Sequence, residues 1–254
     1  MRTSLIPHLL NVLTYNLNRK NMNVHVYEVG SIFTSTEKTL TSQPKEREMI
    51  AAAVTGIWHE QAWQGEKKAV DFYVVKGILE GLFAELGLSE EIDFVQAQKE
   101  ELHPGRTANV ELAGREIGYI GQVHPATARD NDLRETYVFQ LDLEALLNHE
   151  VQPVIYKALP RFPAITRDIA LVVDSKQTAA EVETIIREAG GTLLTSIRLF
   201  DLYEGEHMET GKKSLAFSLT YLDPEQTLTD ERVTAVHEKV LAALENKIGA
   251  SLRE

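Results

Sequence analysis

Apolar residues recur along this chain with two periods, and each change of period marks an element. The last hundred residues parse most cleanly. From Asp168 to Asp174, Ile169, Leu171 and Val173 fall on one face of a predicted strand. Thr178 to Glu181 has the spacing of a capping box and opens a helix carrying Val182, Ile185, Ile186 and Ala189 on one side. Gly190-Gly191 stops it. Leu193 to Tyr203 is a second strand, whose apolar parity changes near Leu199-Phe200, and that change predicts a bulge. Gly205 to Gly211 is a hairpin loop. Ser214 to Tyr221 is a third strand that buries Leu215, Phe217, Leu219 and Tyr221. Thr227 to Asp230 reads as another capping box, before a helix with Val233, His237, Val240, Leu241, Leu244 and Ile248 in register. Gly249 ends that helix, and Ala250 to Arg253 can add an edge strand. The order βαββαβ is ferredoxin-like, with both helices on one face of the sheet and the other face free.

The first part of the chain is less regular. Thr3 to Arg19 is a predicted helix, with Leu9, Leu10, Leu13 and Leu17 on one face. Strands are predicted over Val24–Phe33, Met49–Ile57, Asp93–Gln98, Thr107–Leu112, Glu116–Gln122 and Val138–Leu143, and a helix over Asp71–Leu86. This is α+β around a mostly antiparallel sheet. The leucine-rich first helix is expected to leave an exposed apolar surface for a partner or a further segment. Pro153, Pro160 and Pro163 cluster in a short stretch that reads as a linker. The domains are therefore 1–155 and 160–254.

Composition narrows the function classes. At 43% hydrophobic and 25% charged residues the chain is globular in type. Its net charge of −12 excludes a general polyanion binder, so contact with nucleic acid must be focal. Cysteine is absent, which excludes disulfides, thiolate metal sites and a thiol nucleophile, and fits the cytoplasm. No apolar run is long enough to cross a bilayer, so no membrane role is expected.

The candidate chemistry lies in the second domain. Phe200-Asp201-Leu202-Tyr203-Glu204-Gly205 ends a strand in a polar, aromatic tip. The next strand shows Ser214, Ala216, Ser218 and Thr220 on one face. A flat surface of small residues beside an aromatic ring suits a nucleic-acid base. Residue by residue, Tyr203 serves equally well as a core tyrosine, and Lys212-Lys213 as a solvated hairpin. His8, His25, His59, His103, His124 and His149 show no metal-ligand spacing, and no metal site is expected. His103-Pro104-Gly105-Arg106 reads as a phosphate clamp or as a turn into a strand with Arg106 in an ion pair.

Arg167-Asp168-Ile169-Ala170, Phe200 to Gly205, Gly211-Lys212-Lys213-Ser214-Leu215 and Thr227 to Glu231 resemble the ferredoxin-fold anticodon-binding domain. That domain closes the beta subunit of bacterial phenylalanyl-tRNA synthetase. Arg2 to Leu10, Tyr27-Glu28-Val29-Gly30, Lys76 to Glu80, His103 to Arg106 and Gly118 to Pro125 resemble the catalytic-like class II module of the same subunit. The likeness runs the length of the chain. It implies a fragment that begins partway into the catalytic-like module and lacks the family's editing portion.

The resemblance implies an antiparallel class II synthetase-like sheet domain followed by the βαββαβ domain. It implies a first-anticodon-base site at Ala170, Asp201, Tyr203 and Ser214, with phosphate contacts from Arg161, Arg198, Lys212 and Lys213. It implies the synthetase alpha subunit and tRNA(Phe) as partners, in an alpha2-beta2 heterotetramer that uses ATP and magnesium. This fragment should bind no cofactor and hold no catalytic residue. Class II enzymes grip ATP with arginines, yet residues 21–37 and 137–156 contain neither arginine nor lysine. The competing reading is a small-molecule-sensing protein with a ferredoxin-like domain. That reading wants glycine-rich loops at strand–helix junctions, and Gly190-Gly191 ends a helix instead.

Overall fold

The computed structural model describes every residue except 38, 40, 152, 154, 157, 158, 206, 207 and 254. The linker and the 205–211 hairpin loop fall partly outside the described residues. The chain forms two compact units, Met1–Val154 and Ile155–Glu254.

The first unit is built on an antiparallel sheet of six strands, in the order β1-β2-β8-β7-β6-β5. These are β1 (Val24–Thr34), β2 (Lys45–Thr55), β5 (Ile92–Gln96), β6 (Leu102–Leu112), β7 (Arg115–Val123) and β8 (Thr136–Asp142). The central strand β8 is almost wholly buried on both faces, with Tyr137, Phe139 and Leu141 on one and Thr136, Val138 and Gln140 on the other. One face packs Val54, Phe139 and Leu141 against Val75, Leu79 and Phe83 of helix α2 (Phe72–Glu85). Asp71 caps that helix through the Val74 amide. The other face packs Ala51, Ala53 and Val138 against helix α1 (Ile6–Leu17).

One sequence expectation fails here for a packing reason, and one hairpin was not expected. Leu9, Leu10, Leu13 and Leu17 of α1 are buried in the unit's own core, so this helix is not the exposed apolar surface expected of it. The sheet has two apolar faces, and α1 covers the second. Residues 57–69 also hold a hairpin, β3 (Ile57–Gln61) with β4 (Glu66–Ala69), that has no alternating pattern to announce it. Two short helices, α3 (Pro125–Asp130) and α4 (Leu143–Leu147), were likewise below the length at which periodicity speaks.

The second unit has β9 (Ile165–Asp174), α5 (Ala179–Gly190), β10 (Leu194–Tyr203), β11 (Lys212–Tyr221), α6 (Asp230–Ile248) and β12 (Ser251–Leu252). The sheet order β10-β11-β9-β12 is that of a ferredoxin-like fold. Thr178 and Glu181 form the capping box that the sequence predicts. The cap of α6 is instead Thr229, whose hydroxyl accepts from the Arg232 amide, two residues later than the predicted box. Gly249 ends α6 in the left-handed region at φ 62°, which favours glycine. Ile169, Leu171 and Val173 of β9 and Leu215, Phe217, Leu219 and Tyr221 of β11 bury against Val182, Ile186, Val240 and Leu244. The Tyr221 hydroxyl lies 3.2 Å from Nδ1 of His237, and burial pushes the phenol up to about 12 and the imidazole below its ordinary value.

Candidate anticodon-binding face

Strand alternation decides what the uncovered face of the second sheet presents. Once Leu215, Phe217 and Leu219 turn to the helices, Ser214, Ala216 and Ser218 must turn the other way. Pairing then aligns side chains across three strands. Tyr203 stands opposite Ser214, which pairs with Val172. Asp201 stands opposite Ala216, which pairs with Ala170. Arg198 stands opposite Ser218, which pairs with Asp168. Ala170, Asp201, Tyr203 and Ser214 thus occupy two neighbouring rows of one sheet face. A register shift between Leu199 and Asp201 makes this possible. Without it, Asp201 and Tyr203 would share the face of Leu199 and point into the core.

The cations sort differently. Arg198 is exposed on the uncovered face, and Lys212 has the parity of that face, opposite Asp174. Lys213 has the other parity, with Leu215 and Val173. Its charge helps to hold the Glu181 carboxyl low, after the larger effect of the Thr178 hydrogen bonds, so it sits towards the start of α5. Arg161 is exposed ahead of β9 and belongs to none of the paired rows.

One residue escaped the sequence reading. The Arg253 amide donates to the Ala170 carbonyl at 2.8 Å, and its guanidinium lies 4.9 Å from the centre of the Tyr203 ring. Tyr203 is on the outer strand β10 and Arg253 follows β12 at the opposite edge, so both side chains reach across the small residues between them. The predicted edge strand carried the signal, but only the pairing of Ser251 with Val172 shows which way its arginine turns. Gly205 completes the ring's setting. A Cβ built there would lie 2.5 Å from the Tyr203 hydroxyl, so any larger residue displaces the phenol.

Three arginines of the first unit, Arg2, Arg47 and Arg106, lie beside carboxylates. Arg47 lies outside both arginine-free stretches, 21–37 and 137–156, yet β2 pairs with β1 and sets it opposite Ile32. Arg47 lies 3.9 Å from the Asp142 carboxylate, and Arg2 bonds Glu28 at 2.5 Å, holding that carboxyl below its usual range. Both guanidinium groups face a carboxylate, and among the described residues no group of three or more His, Cys, Asp or Glu side chains could hold a metal. Five of the six histidines have local partners: His8 with Glu28, His25 with the Trp58 ring, His103 with the Gly105 amide, His124 with the Ala126 amide and His149 with Glu91. Arg106 donates to Gln122 and Glu135 at 2.9 and 2.8 Å, and the buried Tyr137 hydroxyl shares that carboxylate. The His103–Arg106 motif lies within β6 rather than in a turn before it.

A helix-backed βαββαβ sheet with an acid and an aromatic over small residues defines the second unit as a ferredoxin-fold anticodon-binding domain, and residues 160–253 match the family model of that description. Residues 1–143 match the model described as the phenylalanyl tRNA synthetase beta chain CLM domain. The chain belongs to the phenylalanyl-tRNA synthetase beta chain family. It is 63% identical over 253 residues to the phenylalanine–tRNA ligase beta subunit of Halalkalibacterium halodurans, 55% to that of Bacillus subtilis and 53% to that of Geobacillus kaustophilus. Each alignment covers 100% of this chain and 31% of the relative, so the chain spans about a third of their length. Among solved structures, the pyrrolysyl-tRNA synthetase of Desulfitobacterium hafniense overlaps 58% of this chain and 48% of its own at a TM-score of 0.42 and 16% identity, too distant to carry weight. Among the described residues, no helix is long and apolar enough to cross a membrane.

Proposed function

We propose that this chain is a non-catalytic part of a phenylalanine–tRNA ligase beta subunit, and that its second unit binds the anticodon of tRNA(Phe). The observation that carries the reading is the pair of aligned rows, Tyr203-Ser214 and Asp201-Ala216-Ala170, on the sheet face left bare by both helices. A base stacks on Tyr203, and Ala170 and Ala216 let it approach the backbone. Asp201 accepts from N1–H and N2–H₂ of a guanine at the first anticodon position. Ser214, small and opposite Tyr203, is buried beneath the face and bonds a sugar or base edge once the Tyr203–Arg253 pair opens for the RNA. Arg198 and Lys212 neutralise phosphates and position the loop without reading sequence. Arg161 and Lys213 lie off these rows and serve phosphate contacts from outside them.

In this reading residues 1–155 are a degenerate class II catalytic-like domain that scaffolds the alpha subunit, and residues 160–254 are the anticodon-binding domain. The whole enzyme is an alpha2-beta2 heterotetramer in the cytoplasm. It charges tRNA with phenylalanine using ATP and magnesium, and the alpha subunit supplies that chemistry. Arg2, bonded to Glu28, and Arg47, facing Asp142, support the assignment of the chemistry elsewhere. Filter binding tests the RNA role. Labelled tRNA(Phe) should be retained by the purified chain, with retention falling when the first anticodon guanine is replaced. Equal retention of both RNAs at moderate salt would count against a reading of the anticodon here.

A further inference from the structure

We propose that Phe200 is a second base-stacking platform, which holds a nucleobase next to the one over Tyr203. The proposal rests on the reading of this sheet face as the anticodon site. Phe200 is the residue left over at the bulge: Leu199 pairs with Phe217 and Asp201 with Ala216, and nothing pairs with Phe200 between them. The bulge thus does two things. It turns Asp201 and Tyr203 to the uncovered face, and it sets a phenyl ring beside them outside the regular alternation. Bulges next to sites commonly re-aim a side chain in this way.

Among the described residues the ring belongs to no core cluster. The core beneath the sheet takes Ile197 and Leu199 from this strand and leaves Phe200 out, at 50% exposure. Three residues of strand separate Phe200 from Tyr203, roughly 10 Å at the usual rise. That is within reach of consecutive nucleotides whose bases are splayed out of a loop. Arg198 is exposed on the same strand beyond Phe200 and can hold a phosphate flanking the base there. Because every base has a π-face, a phenyl ring without hydrogen-bonding groups grips whichever base follows without choosing it. One strand then carries selectivity at Asp201 and sequence-tolerant grip at Phe200.

The test couples protein and RNA changes. The full chain and its Phe200→Ala, Phe200→Leu and Tyr203→Ala variants are titrated with a synthetic tRNA(Phe) anticodon stem-loop. The same titrations use stem-loops made abasic at one anticodon position at a time. Phe200→Ala should weaken binding of the intact stem-loop about tenfold. Phe200→Leu, which keeps bulk but not the ring, should lose most of that grip. The loss should vanish with an abasic nucleotide at one position, different from the position at which the Tyr203→Ala loss vanishes. If Tyr203 couples to one position and Phe200 to none, the second platform is wrong and the anticodon face stands. If Phe200→Ala loses the same factor on every stem-loop, its role is structural and the proposal is overturned. If neither variant couples to any position, both the proposal and the anticodon reading fail.

Discussion

Replacing Tyr203 by alanine is expected to weaken binding of tRNA(Phe) by the assembled enzyme about 10- to 100-fold. The scale is that of one base–aromatic stack, roughly 1–3 kcal/mol. The ring lies over an almost flat strip, with Ser214 and Ala216 buried beneath the face and Arg253 at 4.9 Å. Phe200, the other exposed ring on this strand, stands three residues away and grips a different base, so it does not take over the stack. The domain should stay folded, because Tyr203 belongs to the uncovered face and not to the core under the helices. Tyr203→Phe keeps the ring and should retain most of the affinity. Asp201→Ala removes an acceptor rather than a stack, so its cost should appear as lost discrimination at the first anticodon base. Affinities must be compared at one salt concentration, since phosphate contacts make every value salt-dependent. A Tyr203→Ala enzyme with unchanged affinity and an unchanged circular dichroism spectrum would remove this face from the RNA site.

The second large effect concerns stability. Phe217→Ala should destabilise the second unit by about 3–5 kcal/mol, the usual cost of emptying a phenylalanine site in a packed core. Phe217 is wholly buried at the middle of β11, between Leu199 on one neighbour and Ile169 on the other, with both helices above it. Domains of this size have about 5–15 kcal/mol in all, so the variant should sit close to unfolding. Urea titration should show the second unit's transition moved to markedly lower urea, while the transition of the first unit stays in place. Phe217→Leu should shift it much less. An unchanged transition in the alanine variant would contradict the central position of this side chain.

The two units differed in how much the chain revealed. In the second, single-sided burial left a strict alternation, so the parity of Ile169, Leu171 and Val173 named the helix-covered face directly. The parity break at Leu199-Phe200 even located the bulge, because a buried strand cannot change faces without one. In the first unit, β8 and much of β2 are buried on both sides, and a doubly buried strand has no alternation to read. The same fact misdirected the reading of α1, whose leucines looked surplus only because the second apolar face was not foreseen. The site residues were legible as types but not as a group. Asp201 and Tyr203 declared an acid and a ring; their alignment with Ala170 and Ser214 depends on two pairing registers that no local pattern fixes. Lys213 shows the limit most plainly, since one residue of parity separates it from Lys212 and sends it towards the helix side. Arg253 was hidden for a related reason, because a two-residue edge strand has no period of its own.

The most direct test of the anticodon-binding face is amide chemical-shift mapping of the isotope-labelled chain during titration with the tRNA(Phe) anticodon stem-loop. Shifts should concentrate at 168–172 on β9, 198–203 on β10, 212–218 on β11 and at Arg253, with α5 and α6 little changed. Shifts confined to the two helices or to the first unit, or none at saturating RNA, would contradict the account.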